Sequence, residues 1–357
     1  MESQTLDSTE KVLPAIKVSV VIPAYNAASS IEATLNALQG QITPPETFEV
    51  LVVDDGSSDA TPAKLTAWME MGLRLRVLSQ SHAGPAAARN LGVAQAQGEI
   101  VLFTDADCAP AADWIEKMCA PFQDQAIAGV KGTYRTRQKQ LVARFVQIEY
   151  EDKYARMRRD KYIDFIDTYS AGYRREVFLA NGGFDLAFSS ASVEDQEFSF
   201  RLASQGLKMV FVPDAYVYHS GHAATLAAYL RKKFKIGYWK VLVHQRHPDK
   251  MLRDSHTPQV LKAQILLAGL SGLFLLPGLF APFWRWASGA TAGVLFLTTL
   301  PFAARAWPKD RAVALAAPFL LLARALALGA GFAAGLLHAL LRTHLRTHLR
   351  TPQRPAP

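Results

Sequence analysis

Apolar segments alternate with helix-like segments over residues 17 to 107, and the apolar segments lead into polar or acidic residues. Continuous apolar strands separated by helices are typical of a mainly parallel sheet covered by helices on both faces. Ligands of such sheets bind beyond the carboxyl ends of the strands, which here read PAYN, DDGSSD and DADC. The pattern predicts strands at 17–23, 48–56, 74–80 and 99–107, with helices at 29–41, 60–71 and 85–98 between them.

The region from 137 to 222 is less regular, beginning with a basic and aromatic stretch at 137–163. Gly182 and Gly183 predict a turn, and 208–219 reads as a further strand. Glu194 and Asp195 stand at a predicted helix start, where the helix dipole favours negative charge. Taken alone, Asp195 is more typical of a helix cap than of a catalytic group.

Three apolar stretches follow. Residues 263–284 and 286–304 carry no charge and are long enough to cross a hydrocarbon core of ~30 Å. Residues 312–341 contain Arg324, so this stretch is either one tilted span with Arg324 facing a partner helix or a re-entrant pair. The sequence predicts two membrane spans and leaves the third open.

Basic residues surround these stretches and bear on their orientation. The segment before them predicts an amphipathic helix at the membrane interface, with a basic solvated helix as the alternative. If the N-terminal domain is cytoplasmic, Arg285 lies outside and Arg305, Lys309 and Arg311 lie inside, as the positive-inside rule asks. A third crossing would place the arginines of the tail outside, against that rule. The predicted organisation is a flexible N-terminus (1–16), a sheet domain (17–222), an interfacial linker (223–260), a membrane region (261–341) and a basic tail (342–357).

Composition narrows the class of protein further. The net charge of +8 is concentrated near apolar segments, which favours anionic lipid over nucleic acid as the partner, and no nucleic-acid partner is predicted. The two cysteines stand in no CxxC or Cys/His cluster, so zinc and disulfides are not expected. The polar N-terminus has no signal peptide pattern, so we expect a multi-pass protein of the plasma (inner) membrane with its sheet domain in the cytoplasm.

The segment FTDADC, residues 103–108, sets two carboxylates one residue apart after an apolar strand. Alternate side chains of a strand share one side, so Asp105 and Asp107 are predicted to face the same small region. A divalent cation that prefers oxygen ligands relieves the repulsion between two such carboxylates. Cys108 reads as a packing residue. Solvated loop acids often have this spacing, so the motif alone is a weak signal of a metal site.

Several motifs together are more specific. VIPAYNA, VVDDGSSDAT, GPAAARNLG, FTDADC, SAGYRREVFLANGGFD and VEDQEFSFRL occur in this order between residues 21 and 202. In order and spacing they resemble the family 2 nucleotide-sugar glycosyltransferases, over about residues 17–222. The resemblance implies a GT-A fold, a Rossmann-like α/β sheet flanked by helices, here followed by a C-terminal helical transmembrane region.

The resemblance also implies residue roles on the donor side. Pro23 and Tyr25 match the first-strand motif that borders the nucleotide, and Asp54 matches the acid that contacts base or ribose. Arg89 matches the arginine of the ARN motif near the nucleotide. Asp105 matches the residue near ribose and metal.

The remaining implied roles concern the metal and the reaction. Asp107 matches the direct ligand of Mn²⁺ or Mg²⁺, and His219 occupies a position from which a family histidine approaches the metal or diphosphate, with Asp105 as a further ligand. Asp195 matches the catalytic base of inverting members, and Glu194 beside it is expected to bind the nucleotide-sugar.

The implied activity is transfer of one sugar from an NDP-sugar, by default a UDP-sugar, to a lipid or glycan acceptor at the membrane. Processive members carry a QxxRW motif, whereas Gln245-Arg246-His247 lacks the tryptophan, so we expect no polymerisation. Two alternatives stay open: a transferase to polyprenyl phosphate, whose acceptor needs no base, and a non-catalytic sugar-nucleotide-binding subunit of a membrane assembly. The oligomeric state is not predicted.

Overall fold

The computed structural model describes residues 16–188, 193–251, 254–255 and 257–348 of the chain. Within these residues eight strands form a single sheet, in the order β3-β2-β1-β4-β7-β6-β8-β5. The strands are β1 Val18–Ala24, β2 Phe48–Asp54, β3 Leu75–Ser79, β4 Ile100–Phe103, β5 Cys108–Pro110, β6 Ile127–Arg135, β7 Ala171–Arg174 and β8 Lys208–His219.

Twelve α-helices occur in the described residues, and the first seven belong to the sheet domain. The seven are α1 Ile31–Gln39, α2 Thr61–Trp68, α3 Pro85–Gln95, α4 Trp114–Cys119, α5 Leu141–Met157, α6 Arg175–Ala180 and α7 Glu194–Ser204. The other five are α8 Leu226–Arg246, α9 Gln259–Gly278, α10 Pro282–Leu297, α11 Leu300–Ala306 and α12 Arg311–His348.

The sheet confirms the predicted α/β class and is parallel in its first half. Strands β3, β2, β1 and β4 all pair in parallel, as the alternation of strands and helices predicted. Strand β7 is antiparallel to both its neighbours, and β5 is antiparallel to β8, so the second half of the sheet is mixed. Residues of alternating parity pack on opposite faces: Val20 and Ile22 contact one core cluster and Val21 contacts the other. Both faces are therefore covered.

The predicted strand 99–107 is shorter in the structure. Strand β4 ends at Phe103, and the N–H of Cys108 donates to the carbonyl of Asp105 at 3.0 Å, which closes a turn. Asp105 and Asp107 therefore lie in a turn between two strands, and their carboxylates need not share one side.

Three helical stretches are long and apolar enough to cross a membrane: Gln259–Gly278, Pro282–Ala306 and Arg311–Leu341. These helices indicate membrane association, and the third apolar stretch is one continuous helix, not a re-entrant pair. The interfacial placement of segment 223–260 and the orientation of the spans remain predictions. The predicted flexible segment 1–16 lies outside the described residues except for Ile16, and so do the tail side chains beyond Leu341.

Arg324 faces protein instead of lipid. Its guanidinium donates to Glu149 of α5 at 2.5 Å and to Gln264 of α9 at 2.8 Å, and the residue is 6% exposed. The first half of α12 packs on α5 through a cluster that includes Phe145, Phe302 and Leu321. The arginine within the third apolar stretch thus joins the sheet domain to the apolar helices.

The turn between α11 and α12 is tied to the same helix of the sheet domain by three ion pairs. These are Arg305 with Asp152 at 2.8 Å, Lys309 with Glu151 at 2.6 Å, and Asp310 with Arg144 at 2.7 Å. The turn therefore lies on the sheet-domain side, which agrees with the charge bias read from the sequence.

Helix α8 runs against α12 at backbone contact. A Cβ added to Gly237 would lie 2.3 Å from the carbonyl oxygen of Leu328, and one added to Gly331 would lie 2.1 Å from that of Phe234. Small residues allow such close approach between helices. One face of the basic helix α8 is therefore covered by α12, which neither interpretation of this segment anticipated.

Candidate active site

The pairing of β5 with β8 brings Asp107 and His219 together. Cys108 lies opposite His219 in this antiparallel pair, and both the N–H and the hydroxyl of Ser220 donate to the carbonyl of Asp107. The Oδ2 atom of Asp107 is 3.5 Å from Nε2 of His219. Two residues separated by more than a hundred positions thus share one corner of the site.

Arg89 lies between two acidic residues. Its Nη2 donates to Asp105 at 2.7 Å and its Nη1 donates to Glu194 at 3.2 Å, and the arginine is 4% exposed. Burial lowers the pKa of the Arg89 guanidinium, but the charges of Asp105 and Glu194 outweigh burial and raise it. Arg89 therefore stays charged and holds the turn after β4 against the start of α7.

Asp195 follows Glu194 at the start of α7 and lines a cavity. Burial raises the pKa of Asp195 most, the neighbouring charge of Glu194 raises it further, and the opposing charge of Arg89 leaves it at about 7. Its backbone carbonyl accepts from Ser199, and its carboxylate accepts from the N–H of Gln196 at 2.8 Å. A carboxyl that titrates near neutral pH is suited to accept a proton.

Pro23, Tyr25 and Asp54 lie at the carboxyl ends of β1 and β2, where Ala24 pairs with Asp54. Tyr25 is 49% exposed and stacks on His82, with 4.1 Å between ring centroids. Asp54 is buried and accepts from the N–H of Ser57 at 3.2 Å. These three residues are close in the sheet but do not line the cavity beside Asp195.

Asp55 has a structural role that the sequence did not indicate. It is 2% exposed and its carboxylate accepts from the N–H groups of Ala83 and Gly84, both at 2.9 Å. It therefore fixes the loop that leads into α3, which carries Arg89.

The cavity has a volume of about 250 Å³ and lies between the sheet edge and helices α8, α9 and α12. Arg89, Asp105, Asp195 and His219 line one side. The other side consists of residues of the helices beyond the sheet domain, among them Lys233, Ile236, Lys240, Leu261 and Leu328. The candidate catalytic carboxylate thus faces a space bordered by the apolar helices.

The residues around Asp107 fit a divalent cation. Donor atoms of Asp107, Cys108 and His219 all lie within 4.8 Å of one another. Burial lowers the pKa of His219, so its ring is neutral as a ligand must be, and its buried Nδ1 has no hydrogen-bond partner among the described residues. Burial raises the pKa of the Cys108 thiol, which keeps it protonated. The Asp107 carboxylate suits Mn²⁺ or Mg²⁺, and a neutral imidazole is a common metal ligand. Asp105 is ion-paired with Arg89 and is not among the three residues of this cluster.

Two further polar side chains of the cavity were not singled out from the sequence. The Nε2 atoms of His222 and Gln196 are buried and have no hydrogen-bond partner among the described residues. Burial, with the charges of His219 and Lys232, lowers the pKa of His222 to about 3, so this ring is neutral. An isolated histidine carries no sequence signal, and only the fold brings His222 to the cavity beside Asp195. Gln196 follows Asp195 in the chain, but a glutamine at that position does not by itself indicate a ligand.

Gly221 permits the position of the Asp107 carboxylate. A Cβ added there would lie 1.9 Å from Oδ2 of Asp107, so Gly221→Ala must rotate that carboxylate away from His219. We expect the variant to fold and to bind Mn²⁺ at least about tenfold more weakly in a titration, the scale of a displaced metal-site contact. Gly289→Ala is the matched control, since no atom of the described residues lies within 4 Å of its added Cβ. Equal Mn²⁺ affinity in both variants would remove Asp107 from the metal site.

Comparison with known proteins agrees with this arrangement. Residues 19–180 match the family described as glycosyl transferase family 2, and residues 100–336 match glycosyl transferase family group 2. The chain belongs to the family 2 glycosyltransferases. The second match extends from the sheet domain through most of the apolar helices.

Individual relatives are more distant. The chain is 29% identical over 269 residues to the pre-mycofactocin glycosyltransferase of Mycobacterium tuberculosis, covering 73% of this chain and 55% of that protein. It is also 29% identical over 239 residues to the glycosyltransferase AglE of Haloferax volcanii, covering 63% and 73%. The chain spans about half the length of the first of these relatives.

A solved structure with a similar fold is the mannosyltransferase PcManGT from Pyrobaculum calidifontis in complex with GDP-Man and Mn²⁺. The TM-score is 0.58 at 22% identity, over 90% of this chain and 88% of that one. This likeness confirms the GT-A fold.

Proposed function

We propose that the protein is a membrane-bound, metal-dependent, inverting glycosyltransferase that transfers one sugar from a nucleotide-sugar, by default a UDP-sugar, to a lipid or lipid-linked acceptor. The observation that carries the proposal is the pairing of Arg89 with both Asp105 and Glu194, which joins the edge of the sheet to the start of α7 beside Asp195. Family membership and the complex of the similar PcManGT with GDP-Man support a nucleotide-sugar as the donor.

The donor is proposed to lie along the carboxyl edge of the sheet. The exposed ring of Tyr25, stacked on His82, offers a face for the base, and Asp54 at the end of the neighbouring strand is proposed to accept from base or ribose. Asp107 and His219 would hold Mn²⁺ or Mg²⁺, which when bound balances the charge that develops on the departing diphosphate. Arg89 keeps Asp105 oriented at that edge.

Asp195 is proposed to remove the proton of the acceptor. As the acceptor oxygen forms its bond to the anomeric carbon, the bond from that carbon to the diphosphate oxygen breaks and the diphosphate departs with the electron pair. The acceptor's proton passes to the Asp195 carboxylate, and attack opposite the leaving group inverts the configuration. The cavity bordered by α8, α9 and α12 supports an acceptor that approaches from the membrane side.

The proposal is tested by thermal stabilisation of the full chain in detergent with a panel of nucleotide-sugars. We expect a higher melting temperature with one donor and Mn²⁺, and no shift with EDTA, since a ligand at 100 times its Kd adds about 2.7 kcal/mol to the free energy of unfolding. Asp107→Ala should lose this shift. Asp113→Ala, which removes a partly exposed carboxylate whose ion pair among the described residues is with Lys117, should keep it. If none of the nucleotide-sugars gave a metal-dependent shift in melting temperature, the proposal would be contradicted.

A further inference from the structure

The side of the cavity opposite the sheet edge is rich in lysine. In the described part of the chain, five lysines line the cavity: Lys153 of α5 and Lys232, Lys233, Lys235 and Lys240 of α8. Among the described residues, the acidic side chains that line the cavity are Asp105 in the turn after β4, Glu194 and Asp195 at the start of α7, and Asp167, which bonds the buried Lys131. The carboxylates and the lysines thus come from different elements of the fold.

The carboxylates near these lysines are already shared. Glu149 accepts from Arg324 at 2.5 Å and from the Tyr229 hydroxyl at 3.0 Å, and it also lies 3.5 Å from Lys233. Lys232 and Lys235 have no carboxylate within ion-pair distance in the part of the chain that the structure describes. The lysine side of the cavity therefore carries an excess of positive charge.

Burial makes this excess costly without an anion. Burial lowers the pKa of Lys233. Burial, together with the charges of Lys262 and Lys233, also lowers the pKa of Lys240 against the opposing charge of Asp254, a carboxylate that is shared with Lys262. The Nζ of Lys240 donates to the hydroxyl of Thr257 at 3.2 Å, a neutral partner. A bound anion would restore the solvation that these ammonium groups lose in the cavity.

Apolar side chains border the same space. Tyr229 and Ile236 of α8 line it, together with Leu261 of α9 and Leu328 of α12. Helices α9 and α12 are candidate membrane spans. Charge for an anion and apolar surface for the start of a hydrocarbon chain are therefore adjacent, at the side of the cavity bordered by these helices.

Unsatisfied polar groups mark where the uncharged part of a ligand would lie. The Nε2 atoms of Gln196 and His222, both in residues less than a tenth exposed, have no partner among the described residues and belong to the cavity lining. A buried polar atom without a partner costs free energy, and a ligand hydroxyl, which can both donate and accept, can supply the missing partner. Gln196 immediately follows Asp195, so a hydroxyl bound there would lie near the proposed base.

We propose that the cavity binds a lipid acceptor through a phosphate or diphosphate in its head group, with the phosphate at Lys232, Lys233 and Lys240 and the accepting hydroxyl toward Asp195. This inference rests on the proposed function and specifies its acceptor as an anionic phosphate-bearing lipid instead of a neutral lipid or a free glycan.

The test uses the full chain in a neutral detergent and three probes without donor: farnesyl phosphate, farnesol and inorganic phosphate. We expect farnesyl phosphate to bind at least about tenfold more tightly than farnesol or inorganic phosphate, because only it supplies both the charge and the apolar chain. The double variant Lys232→Gln/Lys240→Gln should weaken farnesyl phosphate binding by about fivefold for each lysine and leave farnesol binding unchanged.

Arg231→Gln is the matched control, since Arg231 is an exposed cation of the same helix that does not line the cavity. It should bind farnesyl phosphate as the wild type does. Equal affinity for farnesol and farnesyl phosphate, or an equal loss in the control, would overturn the inference. Inorganic phosphate binding as tightly as farnesyl phosphate would assign the site to a free anion and overturn the lipid assignment.

Failure of the lipid-phosphate inference can be distinguished from failure of the proposed function. If a nucleotide-sugar stabilised the protein in a metal-dependent way but farnesyl phosphate bound no more tightly than farnesol, the acceptor assignment alone would be wrong. Absence of that stabilisation would count against the transferase itself, whatever the lipid probe shows.

Discussion

Replacing Asp195 with asparagine is expected to reduce sugar transfer by about 10³-fold, within the range that general-base catalysis contributes. The amide cannot accept the acceptor's proton, but it has nearly the same shape and can still accept from the N–H of Gln196. The measurement is transfer of radiolabelled sugar into membrane lipid extracts. Metal-dependent stabilisation by the donor should persist, which separates a lost base from a lost fold.

The pH dependence of the transfer rate should also differ between the wild type and Asp195→Asn. Because burial and Glu194 raise the pKa of Asp195 to about 7, the base is protonated and inactive at low pH, and the wild-type rate should rise as the pH increases toward neutrality. A bound divalent cation favours the ionised form of Asp195, so the rise in rate of the metal-bound enzyme is expected at or below pH 7. The variant should lack this rise.

Asp214→Asn, at an exposed position of β8 outside the cavity lining, is the control for these measurements and should leave both rate and pH profile unchanged. Near-full activity of Asp195→Asn would contradict the proposed base. It would favour direct attack by a phosphate oxygen of the acceptor, which has no proton to remove at neutral pH.

Replacing Glu149 with glutamine is expected to lower the free energy of unfolding by about 3–5 kcal/mol, the usual effect of removing one partner of a buried ion pair. The carboxylate is 3% exposed, and its loss leaves the guanidinium of Arg324 and the ammonium of Lys233 without their shared anion. The measurement is the melting temperature and denaturant midpoint of the full chain in detergent.

The lowered pKa of Glu149 determines how the stability of the protein changes as the pH falls. Burial alone would raise this pKa, but the charges of Lys233, Arg324 and Lys153 outweigh burial and lower it to about 2 from 4.5. The stabilisation is therefore present above the ordinary glutamate pKa and is lost as the pH falls through about 2. The variant should be less sensitive to acid over this interval.

Glu151→Gln is the matched control, because Glu151 is also on α5 and pairs with Lys309 at an exposed position. Exposed pairs contribute about 0–1 kcal/mol, so its effect should be small. Adding Arg324→Gln to Glu149→Gln should recover part of the lost stability, since it removes one of the unpaired charges. If Glu149→Gln and Glu151→Gln lowered the free energy of unfolding equally, Glu149 would not be part of a buried ion network.

The first half of the sheet was predictable because each strand there is a continuous apolar run and each helix follows a turn signal. Strands β1, β2 and β3 and helices α1 to α3 lie where the periodicity placed them. The motifs singled out Arg89 and Asp105, and the structure shows that the two form an ion pair, which no spacing in the sequence indicates.

The rest depends on contacts between distant residues. Strand β5 has three residues, one of them proline, and carries no periodic signal, yet its pairing with β8 brings Asp107 to His219. Helix α5 has apolar and charged residues around most of its surface, so nothing in its pattern shows that Glu149 is buried against Arg324, 175 positions away. Burial by a partner helix leaves no trace in the spacing of either segment.

The docking of α5 has a practical consequence for anyone preparing this enzyme without its hydrophobic part. Cutting after residue 222, the predicted end of the sheet domain, would expose Phe145 and its apolar neighbours. It would also leave Glu149 without Lys233 and Arg324. The truncated protein would expose an apolar surface that favours aggregation, and it would lose the residues of α8, α9 and α12 that line one side of the cavity. Detergent-solubilised full-length protein is therefore the appropriate material for crystallisation and enzymology.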